Sequence, residues 1–237
     1  MINEKTFRDR GSGFVVLGNK IDFKNAKIPS KKYLNGNYVV VEPLNIKKHS
    51  KDLFESFILD KQNIIWKYLS YGPFKTHLSF KKWLKSDCLK KDPFFYAVYS
   101  KRHKRYCGMA SYLDIHPEHG SIEVGHINYS PLLQNTLEGT ECMYLMMKNA
   151  FEKLGNRRYT WRCNNLNEGS KKAAIRLGFK FEGIFRQMYI HKGRNRDTAW
   201  FSIIDNEWKK LEKGYLKFLK SSNFDKNFKQ IKKLKLR

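Results

Sequence analysis

Gln134, Thr136, Gly139 and Thr140 lie in a polar stretch, Gln134–Thr140, between an apolar run that ends at Tyr129 and an amphipathic run that starts at Thr140. A turn of this kind, leading from a strand into a helix, aims free backbone N–H groups and the positive end of the helix dipole at what lies beyond it. It therefore suits an anion such as phosphate. Gly139 permits close approach of backbone to ligand, and the two threonines add hydroxyl donors. The plainer alternative is a strand-to-helix turn with a threonine cap, in which Glu138 and Glu141 simply suit the helix N-terminus. Asn167 and Ser170 have the spacing of one edge of a second helix start. Either they cap that helix, or Asn167 bonds an amide of a ligand while Ser170 stands near the reacting group. Glu123 precedes Gly125 by two residues, on a strand that runs into the first turn. In a half-buried cleft its carboxyl would have a raised pKa and serve as a general base, directly or through water. Otherwise it is a surface glutamate paired with one of many lysines.

Other candidates have weaker support. His126 and His191 are possible bases, or packed or solvated histidines. Arg194-Asn195-Arg196-Asp197 reads as a solvated hairpin with a local ion pair, worth little energetically. The four cysteines, Cys88, Cys107, Cys142 and Cys163, form no C-x-x-C and no zinc-ligand spacing with histidine, so buried free thiols are expected. The net charge of +25 attracts polyanions, from nucleic acid to an anionic cofactor. No apolar run is long enough to span a membrane. The charged segment Met1–Arg10 has no apolar signal core behind it, so a cytoplasmic place is expected, with a nuclear one open.

Apolar spacing supplies the elements that must hold these residues. Met1–Asn35 reads as an arm broken by glycines, in which Phe14–Leu17 is a candidate for docking on the domain. Tyr38–Val41 reads as the first strand. Helical spacing follows over Ile46–Trp66 and Thr76–Lys90. Phe94–Tyr99, Cys107–Ile115 and Ser121–Tyr129 read as strands. Thr140–Leu154 reads as a helix closed by Gly155, and Arg158–Cys163 as a strand. A short helix through Leu177 ends at Gly178. Phe179–His191 and Thr198–Ile204 form a final hairpin. Leu211, Tyr215, Leu216 and Leu219 have helical spacing, and Phe224, Phe228, Ile231 and Leu234 continue the stripe among lysines as a membrane-surface, partner or self-packed helix. This order gives an α/β protein with a mixed sheet and one late crossover, not a doubly wound fold. The expected division is an arm (1–35), a catalytic domain (36–208) and a basic C-terminal helix or tail (209–237).

Taken together, several motifs in order resemble one family over roughly Asn37–Trp208. They are Leu34–Leu44, Tyr71-Gly-Pro-Phe74, His116-Pro-Glu-His119, Ile122-Glu-Val-Gly125, Asn167-x-x-Ser170, Arg176-Leu-Gly-Phe179, Glu182-Gly183 and Gly193–Phe201. The chain resembles the GNAT superfamily of acyl-CoA-dependent N-acetyltransferases, nearest the branch that includes the ribosomal-protein N-terminal alanine acetyltransferases. The resemblance implies a central twisted mixed sheet flanked by helices, with acetyl-CoA as cofactor. It implies that pantetheine pairs with the backbone of Ile127, Asn128 and Tyr129. The family's pyrophosphate loop falls on Gln134, Asn135, Thr136, Leu137, Glu138 and Gly139, with the amides of Leu137 to Thr140 facing the phosphates. Leu137 stands where glycine is usual. Asn167 would bond an amide of the cofactor, and Lys171 and Lys172 would add charge near the phosphates. The acceptor is a primary amine (a protein N-terminus, a lysine or a small metabolite) that attacks the thioester directly in a ternary complex. Glu123 is then the candidate base, and Ser170 the donor to the leaving thiolate. A second reading keeps the fold without efficient turnover, as a binding module for CoA or for a ribosome or RNA partner. Leu137 and Glu138 are the residues that favour it.

Overall fold

Strands and helices follow the apolar periodicity closely enough to build one eight-stranded sheet. The computed structural model describes residues 18–226 and 228–236, together with the backbone of Thr6–Asp9 (β1) and Gly13–Val16 (β2), which pair as an antiparallel hairpin. After them come β3 (Leu34–Asn35), β4 (Val39–Pro43), α1 (Ile46–Phe57), α2 (His77–Asp87), β5 (Phe94–Ser100), β6 (Arg105–His116) and β7 (Ser121–Tyr129). The second half comprises α3 (Leu137–Lys148), β8 (Arg158–Asn164), α4 (Glu168–Arg176), β9 (Lys180–His191), β10 (Arg194–Ile204) and α5 (Asp205–Phe218). The sheet order is β3-β4-β5-β6-β7-β8-β10-β9, antiparallel throughout except for the parallel pair β7–β8. Parallel neighbours need a crossover, and α3 provides it. This is a mixed α/β sheet flanked by helices.

The two faces of the sheet are covered differently. Tyr112, Ile122, Val124, Tyr159 and Phe201 point to one face and pack with Met146 and Met147 of α3 and Trp208 and Leu211 of α5. On the other face, Phe95, Ala97 and Met109 of β5 and β6 pack with Leu53 and Phe57 of α1 and Phe80 and Leu84 of α2. Among the described residues that second core takes no hydrophobic side chain from β7, β8 or β10, while the His126 ring of β7 lies 5.1 Å from that of Phe95. Strand alternation therefore turns Glu123, Arg162 and Trp200 onto the same side, beside the second core.

Several boundaries differ from expectation. The third helix starts at Leu137 rather than Thr140, because Thr136 caps it: its hydroxyl accepts from the Gly139 N–H at 3.0 Å. That helix runs into a single π-helical turn, Asn149–Lys153, before Gly155 ends it with φ of 78°. β10 starts at Arg194, so the basic Arg194–Asp197 segment is strand rather than turn. The apolar residues beyond α5 are not helical: Phe224 bridges to Gln230, and the Asn223 amide ties Phe218 to Lys232. Leu236 is buried against Gly178 and Gly214. At the other end, the arm is pinned by Ala26 N–H to Pro117 C=O and Lys27 N–H to Leu154 C=O, at 2.9 and 2.7 Å. The expected docking of Phe14–Leu17 lies outside the described residues, since their side chains are not described. Among the described residues, no helix is long and apolar enough to cross a membrane.

Candidate active site

β7 and β8 pair only from Ser121–Val124 against Arg158–Trp161 and then separate. The cause is a bulge in β7: the register with β6 slips between Asn128 and Gly125, and His126 sits between them with φ of 47°. Beyond the bulge the Ser130 N–H donates to Cys107 on β6, so by alternation the backbone of Ile127 and Tyr129 faces the opened side. The Gln134 amide reaches back and donates to the Tyr129 carbonyl at 2.9 Å. Asn128 points the other way. Its side chain is buried, and neither amide atom has a hydrogen-bond partner among the described residues.

The mouth of this gap is the first turn of α3. The left-handed residue that the turn needs is Asn135, with φ of 56°, a conformation that asparagine tolerates. Leu137 is already helical and puts its side chain in the core. A leucine where relatives carry glycine therefore causes no backbone strain. Of the four amides expected to face a phosphate, Gly139 N–H bonds Thr136 Oγ1 and Thr140 N–H bonds the Thr136 carbonyl. Those of Leu137 and Glu138 have no partner among the described residues and lie at the positive end of the helix. The threonine hydroxyls are engaged internally: Thr136 donates to Leu133, and Thr140 donates to Thr136 while accepting from Arg176 at 2.8 Å. Arg176, part of the Arg176-Leu-Gly-Phe179 motif but not among the expected site residues, thus brings an exposed guanidinium to the turn.

The acidic residues of the turn part company. Glu141 faces β4 and accepts from the N–H groups of Asn37, Tyr38 and Val39 at 2.7 to 2.9 Å. It anchors that strand. Glu138 is 2% exposed with both oxygens unpartnered among the described residues. Gly139 is closely packed. A Cβ there would stand 2.6 Å from the Leu133 carbonyl oxygen and 3.2 Å from the Tyr129 ring. Gly139→Ala is accordingly expected to destabilise the protein by about 1–3 kcal/mol, measurable as a lowered midpoint in urea. An unchanged midpoint would show that the turn yields freely.

Asn167 caps α4, its Oδ1 accepting from Ser170 N–H at 3.1 Å. The Ser170 hydroxyl accepts from the Trp161 indole N–H at 3.0 Å and also bonds the Cys163 side chain, whose pKa it lowers against the larger opposing effect of burial. Lys171 pairs with Glu168 at 2.6 Å. Lys172 borders a hollow with Ile175, Phe181, Ile184 and Phe201.

Glu123 is 3% exposed and forms an ion pair with Arg162, which also holds Asp114 at 3.3 Å and lies over the Trp200 ring. Burial pushes the Glu123 carboxyl up to about 7, against the opposing pull of Arg162. A carboxyl in that range can exchange protons at neutral pH. The histidines are less suited. His126 is lowered to about 4, first by burial and then by Arg162 and Arg196, and its Nδ1 lies 3.1 Å from the Tyr71 hydroxyl. His191 is lowered as well, by burial and by Arg196 and Lys192. The cysteines are all buried and free, and burial pushes Cys107 and Cys142 to about 12.

Residues 39–180 match the family described as Acetyltransferase (GNAT) domain, more than half of the chain. The chain belongs to the GNAT acetyltransferases. A GCN5-related N-acetyltransferase from Brucella melitensis is 40% identical, with a TM-score of 0.88 over 90% of this chain and 96% of that one. A GNAT-family acetyltransferase from Chromobacterium violaceum is 36% identical, with a TM-score of 0.76 over 84% and 100%. RimL, a ribosomal α-N-protein acetyltransferase solved with coenzyme A, is 16% identical with a TM-score of 0.63 over 73% and 99%, and shares the fold. No curated protein matches the sequence significantly. GNAT acetyltransferases use acetyl-CoA, and in this member the opened β7 edge and the α3 N-terminus lie in succession along the chain.

Arg162, Trp200, Arg196 and Tyr71 were not singled out as site residues from the sequence. Alternation held a signal for Arg162: Trp161 and Cys163 are core residues, so Arg162 must face the side that carries Glu123. Arg196 gave no such signal, because its segment read as an exposed turn.

Proposed function

We propose that this protein transfers acetyl from acetyl-CoA to a primary amine, by direct attack in a ternary complex. The observation that carries the reading is the buried Glu123 carboxyl, pushed up to about 7, on the strand whose free edge opens the β7–β8 gap. The residues present fit an acyl-CoA. Ile127 and the Tyr129 N–H offer a backbone edge that no strand pairs, the amides of Leu137 and Glu138 have no partner among the described residues, and Arg176 adds a cation beside them. Acetyl-CoA, when bound, supplies an activated acetyl group as a thioester. The amine must be neutral to attack, and ionised Glu123 can take its proton, directly or through water. The Ser170 hydroxyl, held by Trp161, can turn from the Cys163 side chain to donate a hydrogen bond to charge developing on a leaving sulfur.

One observation favours the alternative of a CoA-binding module of weak turnover: the Glu123 carboxylate is already engaged in its ion pair with Arg162. Calorimetric titration with acetyl-CoA and CoA, followed by assay of amine acceptors, separates the two. Micromolar binding with acetyl transfer to an amine is the expected result. Binding without transfer to any amine would favour the module, and absence of binding at millimolar cofactor would remove both.

A further inference from the structure

Of the two arginines near Glu123, Arg162 is paired with carboxylates and, among the described residues, Arg196 is not. Arg162 has Glu123 and Asp114 as partners. Asp92 accepts from the backbone N–H groups of Asp114 and Ile115. Asp197, next to Arg196 in sequence, accepts instead from Gln187 N–H at 2.8 Å and the Asn195 amide at 2.9 Å. Arg196 itself is half-buried and meets no carboxylate among the described residues. Its guanidinium donates to His191 Nδ1 at 3.1 Å and lies over the Tyr189 ring, while its Nε is buried without a partner. The sheet register puts it beside the catalytic face: Trp200 is directly opposite Arg162, and Arg196 lies four residues further along the same strand, towards the hairpin tip. A half-buried guanidinium whose Nε lacks a partner among the described residues is better satisfied when an anion meets it, and its planar fork matches a carboxylate.

We propose that the acceptor amine carries a carboxylate, which Arg196 binds while the amine is presented near Glu123. The proposal rests on the acetyl-transfer reading and supplies its missing element, the acceptor's chemical class. The planar fork of Arg196 takes a carboxylate side by side, so the carboxylate of an amino acid or short peptide suits it. The hairpin tip also approaches the segment after α1: Lys192 Nζ donates to the Trp66 carbonyl at 2.9 Å, and the Tyr68 hydroxyl donates to Leu166 C=O on the α4 side at 2.9 Å. These two links span the acceptor side and favour a small or slender acceptor over a folded surface.

The test pairs β-alanine, γ-aminobutyrate and glycylglycine with the amide of each. Binding is measured by calorimetry on the protein alone and with CoA, and acetylation by release of CoA from acetyl-CoA. At least one acid is expected to bind, and to be preferred over its amide by roughly ten- to a hundredfold, the range of a charged hydrogen bond. Arg196→Gln should bring that ratio close to one. Arg196→Lys, which keeps the charge but loses the fork, should restore it in part, with unchanged circular dichroism in both variants. No acid bound by the unaltered protein at tens of millimolar, or an acid-to-amide ratio that Arg196→Gln leaves intact, would overturn the carboxylate site. Carboxylate binding that depends on Arg196 but brings no acetyl transfer would leave the anion site standing and count against the transferase reading instead.

Discussion

Glu123→Gln is expected to reduce kcat/KM for the amine by about 10²- to 10⁴-fold at neutral pH, the usual range for loss of a positioned base. It is also expected to abolish the rise of rate with pH centred near 7. The reasoning starts from burial, which disfavours the carboxylate and lifts its pKa to about 7 despite Arg162. Above that value the group is ionised and can accept a proton, so rate should climb through pH 7 in the unaltered protein and stay flat there in the variant. Stability gives an independent reading with the opposite trend. Between the ordinary value of 4.5 and about 7 the folded protein binds the proton more tightly than the unfolded chain. This group's contribution therefore falls as pH rises through that window, by about 3 kcal/mol in all. Urea denaturation at pH 5 and pH 8 should show that loss in the unaltered protein and not in Glu123→Gln. A variant that loses the stability slope but keeps the pH–rate profile would confine Glu123 to a structural role.

The same residue shows what the sequence could reveal and what it could not. The strand through Ile122 and Val124 was legible from alternation, and with it the fact that Glu123 faces away from that core. Its ion pair with Arg162 was not, because it depends on β8 lying parallel beside β7, a neighbour relation set by the α3 crossover. The turn before α3 was legible in place but not in detail. Polar residues and a glycine marked a strand-to-helix turn, yet left-handed backbone fell to Asn135 and capping to Thr136, which leaves Leu137 and Glu138 with the free amides. Glu138 and Glu141 looked alike in sequence. One anchors three backbone N–H groups of the β4 edge, and the other is buried without partners among the described residues, a difference of helix face that adjacent spacing does not encode. The Phe224–Leu234 stripe misled because an i, i+4, i+7 spacing is also compatible with a folded-back segment, held here by Asn223. Arg196 was hidden for the converse reason. A run of charged residues around Gly193 looks solvated, and only the extension of β10 to Arg194 turns one of them inward.

Ser170→Ala is expected to lower kcat by about 10²- to 10³-fold, the range seen when one preorganised donor to developing charge is removed, with the affinity for acetyl-CoA retained. Retained affinity follows from the structure. The α4 cap is made by the Asn167 side chain to the Ser170 backbone N–H, which alanine keeps. The amides of Leu137 and Glu138 lie on another helix. What alanine removes is the hydroxyl, and with it the partner of the Trp161 indole N–H. Trp161 is 5% exposed, so an unpaired N–H there carries a cost of about 1–3 kcal/mol in stability. Trp161→Phe separates the two effects. It leaves Ser170 in place but frees its hydroxyl to turn, so kcat should fall by less than in Ser170→Ala while calorimetric affinity for acetyl-CoA holds. Single-turnover acetylation of a saturating amine reports the chemical step directly. If Ser170→Ala and the unaltered protein share one single-turnover rate, the hydroxyl serves only to cap an indole, and the leaving sulfur takes its proton from another donor.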